Sequence, residues 1–231
     1  MKEHQPILIT GIPRSGASMI AGILDVCGVH GGVVDKMYEH KRVRDTIVKP
    51  YLQSVGIDED GQYPIAKKIK FDYEKAGEIK DLILEQIRPK NNVWYYKDSR
   101  MLLFWELWTV MFPKAKWIII RRSDEDIIKS CLRTSYMNAY NKDVVKDRIK
   151  VNTTEDGWKW WLEQYKDMIY NITLNQENVV SITPEKMIDN YEEIKKLMGW
   201  LNLEYNEKTI HNFIYPKLRK SIEKKGRLLW Q

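Results

Sequence analysis

Residues Ile7 to Leu24 read ILITGIPRSGASMIAGIL, and this stretch decides which kind of fold the chain adopts. An apolar strand is followed by a loop between Gly11 and Gly16. After the loop, apolar residues recur with the three-to-four-residue spacing of a buried helix face. A strand, a tight loop and a helix in this order aim backbone N–H groups and the positive end of the helix dipole at one point. The stretch therefore predicts an anion site, typically one for a phosphate group.

The loop departs from the standard nucleotide-binding pattern GxxxxGK(S/T) at one position. Gly11, Gly16 and Ser18 match the pattern, but Ala17 stands where it has the lysine that reaches the β- and γ-phosphates. A cation, Arg14, lies inside the loop instead. We therefore expect a phosphate with a second charged group beside it, and the sequence disfavours a triphosphate on Mg²⁺.

The segment GIPRSGAS resembles the 5′-phosphosulfate loop of the sulfotransferases, usually written GxP(R/K)SGT(S/T). These enzymes transfer a sulfuryl group from 3′-phosphoadenosine 5′-phosphosulfate (PAPS) to a hydroxyl or amine, and release adenosine 3′,5′-bisphosphate (PAP). One hydroxyl donor is missing here, because the family usually has Thr at the position of Ala17. The resemblance implies that the donor is bound by the loop residues Gly11, Pro13, Arg14, Ser15, Gly16, Ala17 and Ser18.

A second motif lies in the stretch KWIIIRRSDEDIIKSCLR, residues 116–133. The apolar run Trp117 to Ile120 is typical of a strand buried on both faces of a parallel sheet, and Ser123 begins the following helix. Arg122 thus stands at the carboxyl end of a parallel strand, where open α/β sheets bind ligands. In the sulfotransferases an arginine here and a serine eight residues later bind the 3′-phosphate. The resemblance implies this role for Arg122 and Ser130.

A third element, Lys97-Asp98-Ser99-Arg100, follows a short strand and lies between the other two in the chain. It is similar to the Lys-Asp-Pro-Arg element of many sulfotransferases, with Ser99 in place of proline. The resemblance implies that Lys97 stabilises charge on the leaving phosphate. Cytosolic members use a histidine two residues after this lysine as the base, and Ser99 occupies that position here.

The base must therefore be another residue, since transfer to an alcohol requires removal of its proton. Bacterial-type sulfotransferases carry a glutamate on the segment after the first helix, and Glu39 in Met-Tyr-Glu-His resembles it. The resemblance implies that Arg14, Lys97 and Glu39 are the catalytic residues. Asp35 and Asp98 remain alternatives for the base. Glu39 also fits an ordinary solvated helix residue with no catalytic role, and Asp98 also fits a helix cap.

Composition indicates one globular domain, which we place at residues 1–231. The two cysteines form no disulfide pattern, the first strand leaves no room for a signal peptide, and no apolar run has the length of a membrane span. We therefore expect a soluble, cytoplasmic protein with no membrane partner. His30 and His40 lack metal-ligand spacing, so we expect no metal.

The formal net charge is +6, and six of the cations lie between Lys217 and Gln231, where Glu223 is the only acidic residue. Such a segment is typical of a nucleic-acid-binding tail or of a solvated chain end. It also resembles, loosely, the Arg-Lys-Gly segment that covers the donor in cytosolic sulfotransferases, which implies donor contacts from Arg219 and Lys220. Nucleic acid is the less favoured partner.

Periodicity predicts strands near residues 7–9, 93–96, 117–120 and 178–182, separated by helices. This order predicts a three-layer αβα fold with a central parallel sheet, similar to that of the P-loop nucleotide kinases. We expect residues 58–61 to form an acidic surface turn and residues 137–153 an irregular surface segment. Trp160 falls off the buried stripe of the long helix that begins at Thr154, and is a candidate for an acceptor pocket.

The function favoured by these motifs is a PAPS-dependent sulfotransferase that needs no metal and acts on a small-molecule, glycan or peptide acceptor. A small-molecule kinase of the P-loop class would share the sheet and loop, but Ala17 in place of lysine disfavours it. A non-catalytic nucleotide or nucleic-acid binder would use the basic tail, and its binding would weaken steeply with salt.

Overall fold

A four-stranded parallel sheet forms the centre of the computed structural model, which describes residues 4–64 and 71–215. Its strands are Ile7–Gly11 (β1), Tyr95–Lys97 (β2), Lys116–Ile120 (β3) and Val179–Ile182 (β4). Their order is β2-β1-β3-β4, and every pair is parallel. The predicted αβα fold with a central parallel sheet is confirmed, and each predicted strand is present.

Within the described residues, helices lie on both faces of this sheet. They are Ala17–Val26 (α1), Lys41–Val43 (α2), Lys49–Ser54 (α3), Ala76–Ile87 (α4), Trp105–Met111 (α5), Asp124–Leu132 (α6), Asp143–Ile149 (α7), Thr154–Asn175 (α8), Pro184–Asp189 (α9) and Tyr191–Leu201 (α10). Residues 207–215 are also helical. Among the helices of residues 4–64 and 71–215, none combines the length and apolar character needed to cross a bilayer.

The sheet separates two apolar cores because successive strand side chains point to opposite faces. On β1, Leu8 enters the larger core, formed with α2 to α8, whereas Ile7 and Ile9 enter the smaller one. The smaller core is completed by α1, α9, α10 and the 207–215 helix. Burial of both faces explains why β1 and β3 are almost continuous apolar runs.

A π-helical turn at Arg44–Val48 separates α2 from α3. The amide of Lys49 donates to the carbonyl of Arg44, five residues back. Pro50 has no N–H to continue the regular ladder, and its ring would clash with a carbonyl of the preceding turn. The wider turn places Arg44 beside the cleft described below.

The expectation of an irregular surface segment at residues 137–153 is wrong in part: most of these residues are exposed, but the segment is helical and carries several buried side chains. Ala139–Asn141 form a 3₁₀ turn, α7 follows, and the side chains of Met137, Tyr140 and Val145 are buried. The Tyr140 ring packs edge-on against Trp158 with 4.7 Å between centroids. Because this contact joins residues far apart in the chain, the local polarity of the segment does not predict that Tyr140 is buried.

The acidic turn at residues 58–61 is likewise not a plain surface loop. The carbonyl of Gly61 accepts hydrogen bonds from Trp161 Nε1 (2.7 Å) and from the Tyr165 hydroxyl (3.0 Å), and Gly61 is buried.

Candidate active site

A cleft of about 760 Å³ opens at the carboxyl ends of β1, β2 and β3. Parallel strands all end at the same edge of a sheet, so residues distant in sequence meet there. The lining residues are those at 11–19 and 35–39 together with Arg44, Asp60, Gln62, Lys97, Ser99, Arg100, Arg122, Tyr136 and Met137. The cleft thus joins all the predicted loop residues with Glu39, Lys97 and Arg122. Ser130 does not line the cleft, but its hydroxyl accepts a hydrogen bond from Arg14, which does.

The loop after β1 is shaped to approach an anion closely. Gly16 has a φ of 97°, in the left-handed region that favours glycine. A Cβ on Gly11 would lie 2.6 Å from the carbonyl oxygen of Ile120, so only glycine fits against the end of β3. No side chain among the described residues caps the N-terminus of α1. In the first turn, the Met19 amide donates to the Gly16 carbonyl at 3.0 Å, which leaves the amides of Ala17 and Ser18 for a ligand.

Arg14 links this loop to α6. Its Nε donates to Ser130 Oγ and one terminal nitrogen donates to the Tyr136 hydroxyl, both at 2.9 Å. The guanidinium carbon also lies 6.0 Å from the centre of the Tyr136 ring. The backbone of Arg14 has a φ of 77°, which is unusual for a residue with a side chain. Arg14 was expected at the sulfuryl end of the site, and its guanidinium lies beside Ser130.

Arg122 stands between the loop and two carboxylates. One terminal nitrogen donates to the backbone carbonyl of Arg14 at 3.0 Å. Its Nε lies 3.2 Å from Glu185 and 3.9 Å from Asp126, yet this buried N–H makes no hydrogen bond within the described residues. A cation with an unused donor next to the anion loop is suited to bind a second anionic group.

Lys97 and Glu39 form an ion pair on the opposite wall. Lys97 Nζ donates to Glu39 Oε1 at 2.7 Å, and the two side chains are 7% and 17% exposed. Arg44 donates to the other carboxylate oxygen at 2.9 Å, and Arg100 lies 4.0 Å from that oxygen. Burial alone would raise the pKa of Glu39, but the charges and hydrogen bonds of Lys97, Arg44 and Arg100 together lower it. Glu39 is therefore ionised at neutral pH.

The two alternative bases are differently placed. Asp98 is fully buried and does not line the cleft; its oxygens accept from the Arg100 amide and guanidinium, both at 2.9 Å, and from the Tyr96 hydroxyl at 3.2 Å. It caps the 3₁₀ turn Ser99–Phe104, as the sequence predicts. Asp35 lines the cleft, but one of its oxygens accepts the amides of Met37 and Glu39. The geometry therefore favours Glu39.

Several cleft residues were missed by the sequence interpretation. Arg44 follows Glu39 by five residues, a spacing that does not bring two side chains together on a regular helix. Gln62 is buried and joins two walls: its Nε2 donates to the Tyr136 carbonyl (2.9 Å) and its Oε1 accepts from the Asn138 amide (3.1 Å). Only Arg100 had a local signal, as part of the Lys97–Arg100 element.

The remaining candidates lie elsewhere. Trp160 packs partly against the larger core and does not line the cleft, so its suggested place in an acceptor pocket is wrong. His30 Nε2 lies 3.0 Å from the Ile87 carbonyl, and His40 caps α2. Within the described parts of the chain, no group of His, Cys, Asp or Glu is arranged to hold a metal ion. Arg219 and Lys220 lie outside the described residues.

Comparisons with known proteins identify the family and the fold of this chain. A family model described as "Sulfotransferase family" matches residues 6–207. Among solved structures, sulfotransferase STF9 from Mycobacterium avium is 13% identical and matches 93% of this chain and 68% of its own, with a TM-score of 0.57. The sulfotransferase domain of the olefin synthase from Synechococcus PCC 7002 is 13% identical, with 92% and 78% covered and a TM-score of 0.60.

The sulfotransferase domain from the curacin biosynthetic pathway is 14% identical, with 90% and 77% covered and a TM-score of 0.54. At such identities the structural likeness shows the fold alone. Among curated proteins, no significant match was found.

Proposed function

Because the chain belongs to the sulfotransferase family, we propose that it transfers a sulfuryl group from PAPS to a hydroxyl or amine acceptor and releases PAP. One observation carries the proposal. A single cleft joins an anion-binding loop without the nucleotide lysine, a second cationic site at Arg122, and the Lys97–Glu39 pair. A donor with two separated anionic groups and a reactive sulfuryl end needs these three parts.

The donor fits the two anion sites in a defined direction. The uncapped N–H groups of α1 and the loop favour the 5′-phosphosulfate. Arg122 supplies a charge-assisted donor and Ser130 a neutral hydroxyl for the 3′-phosphate. Arg14 bridges the two sites, since it belongs to the loop and its side chain contacts Ser130.

The chemical step is an in-line displacement. The acceptor oxygen attacks sulfur, the bond between sulfur and the bridging phosphate oxygen breaks, and PAP leaves with that electron pair. Glu39 takes the acceptor's proton. Lys97 leaves Glu39 and binds the leaving oxygen as negative charge develops on it. Positioning and charge stabilisation do most of the work, by analogy with phosphoryl transfer. The acceptor is a small molecule, a glycan or a peptide.

Thermal stabilisation by nucleotides tests the donor assignment. A ligand that binds only the folded protein at 100 times its dissociation constant stabilises it by about 2.7 kcal/mol. We expect PAP to raise the melting temperature more than AMP or Mg²⁺–ATP at equal concentration, and PAPS to be converted slowly to PAP with water as the acceptor. Stabilisation by Mg²⁺–ATP with none by PAP would instead support a small-molecule kinase.

A further inference from the structure

Asp35 closes the short loop that carries Glu39. Its Oδ1 accepts the amides of Met37 (2.8 Å) and Glu39 (3.1 Å). Its own amide donates to the Glu39 carbonyl, and its carbonyl accepts from the Tyr38 amide, both at 2.9 Å. Tyr38 has a φ of 59°, in the left-handed region. Four hydrogen bonds thus fold five residues around one carboxylate, so the backbone of Glu39 has little freedom to move.

Arg44 connects the same carboxylate to the side chain of Glu39. One terminal nitrogen of Arg44 lies 2.9 Å from Glu39 Oε2 and 3.5 Å from Asp35 Oδ2. Its Nε and other terminal nitrogen bind the two oxygens of Asp45 at 2.8 and 3.2 Å. The Arg44 side chain is 17% exposed, and its guanidinium binds carboxylates on two sides. Its charge is permanent, since the hydrogen bond to Asp45 and the Glu39 carboxylate raise the pKa of Arg44.

The two oxygens of Glu39 therefore have different partners. Oε1 faces Lys97, which must turn to the leaving oxygen of the donor if the proposed function holds, whereas Oε2 stays with Arg44. When Lys97 turns, Oε1 becomes the free oxygen and the carboxylate keeps its orientation. A base works only if its oxygen is held in line with the proton that it removes.

We propose that Arg44 and Asp35 are positioning residues that orient the carboxylate of Glu39 for proton removal, an assignment that rests on the proposed sulfuryl transfer. Neither touches the reacting atoms. Asp35, an alternative for the base on sequence grounds, instead shapes the loop that carries the base. Arg44 also keeps Glu39 ionised, together with Lys97 on β2 and Arg100 on the 3₁₀ turn.

The test measures the pH dependence of PAPS conversion to PAP, with water as the acceptor, in the wild type, Arg44→Gln and Arg44→Lys. The rate should fall at low pH as Glu39 is protonated, and Glu39→Gln should remove this acid limb. Without the Arg44 charge the pKa of Glu39 rises, so Arg44→Gln should move the limb to higher pH and lower the rate at neutral pH by about 10- to 100-fold. Arg44→Lys should restore the position of the limb in part.

Asp35→Ala should lower the rate more than Asp35→Asn, because asparagine keeps the Oδ1 acceptor that closes the loop. The matched control is Arg42→Gln, which removes an exposed arginine of α2 and should leave the pH profile unchanged. Thermal melts and PAP binding are measured for every variant, since a merely structural role would lower stability and PAP binding without moving the acid limb.

An acid limb at the wild-type position in a folded Arg44→Gln protein would overturn the proposal. Failure of the proposed function is separately visible. If the wild type neither binds PAP nor converts PAPS, the sulfuryl transfer itself is wrong and the positioning role falls with it. If the wild type does both and the acid limb does not move in Arg44→Gln, only the positioning role is wrong.

Discussion

Lys97 illustrates how burial makes a single side chain depend on its partner. The residue is 7% exposed, and its ammonium is held at 2.7 Å by Glu39. A buried cation without a partner is costly, so Lys97 leaves Glu39 only for another negative charge. The leaving oxygen of a sulfuryl donor supplies such a charge. In the proposed reaction, the ion pair would therefore connect occupation of the donor site with release of Glu39 as the base.

We predict that Lys97→Ala lowers turnover far more than it lowers donor affinity. In the proposed mechanism, the lysine acts mainly on charge that grows in the transition state, and the loop and Arg122 bind the ground state. Single-turnover conversion of PAPS and equilibrium binding of PAP separate the two effects. Unchanged turnover with a raised dissociation constant would show that Lys97 only binds the donor.

We predict that Arg122→Ala weakens PAP binding by roughly 10- to 100-fold, since a charge-assisted hydrogen bond contributes about 1.5–3 kcal/mol. AMP, which lacks the 3′-phosphate, should lose little affinity. Calorimetric titration of both ligands measures the difference. Arg121→Ala is the matched control, because that side chain lies on the same strand end but does not line the cleft. Equal losses for PAP and AMP would contradict the assignment.

Helix α6 carries Ser130 to the loop, and its position depends on its first turn. Ser123 Oγ accepts the Asp126 amide at 3.3 Å, and three acidic residues in this turn face the positive end of the helix dipole. On the buried side, Ile127 and Cys131 pack into the larger core. Burial raises the pKa of the Cys131 thiol to about 12, so this cysteine acts as an apolar side chain.

We predict that Ser123→Ala lowers the free energy of unfolding by about 1 kcal/mol through loss of the cap. PAP affinity should change little, because burial of Ile127 and Cys131 holds the helix in place. Urea unfolding with and without PAP measures both quantities. Ser123→Asp keeps a capping oxygen and should restore stability. A large loss of PAP affinity with normal stability would show that Ser123 acts in the site.

At the scale of the whole molecule, two carboxylates that line the cleft, Glu39 and Asp60, have lowered pKa values in the folded protein. For Glu39 and for Asp60, burial acts upward, but the neighbouring cations outweigh it: Lys97, Arg44 and Arg100 around Glu39, and Lys49 and Arg100 around Asp60. A carboxyl with a lower pKa in the folded state stabilises the protein above its unfolded pKa. That stabilisation is lost as the pH falls through the folded value.

We therefore predict that thermal stability declines as the pH is lowered below about 4.5, the ordinary value for glutamate. Glu39→Gln should be less stable than the wild type at pH 7, because Lys97 loses its partner, and should lose less stability between pH 4.5 and pH 3. Melting curves across this range test the prediction. Parallel curves for the two proteins would show that the ionisation of Glu39 contributes nothing to folding.

Local patterns in the chain predict the αβα fold, the loop between Gly11 and Gly16, and the places of Lys97 and Arg122. They do so because strand and helix periodicity and loop geometry are set by neighbours in sequence. Only the tertiary structure placed the guanidinium of Arg14 beside Ser130 and joined Glu39 to Arg44.

These contacts depend on which strand ends meet, on a π turn caused by Pro50, and on aromatic packing between residues far apart in the chain. No local pattern carries that information. The polar sequence around Tyr140 therefore does not predict that the side chains of Met137, Ala139 and Tyr140 are buried.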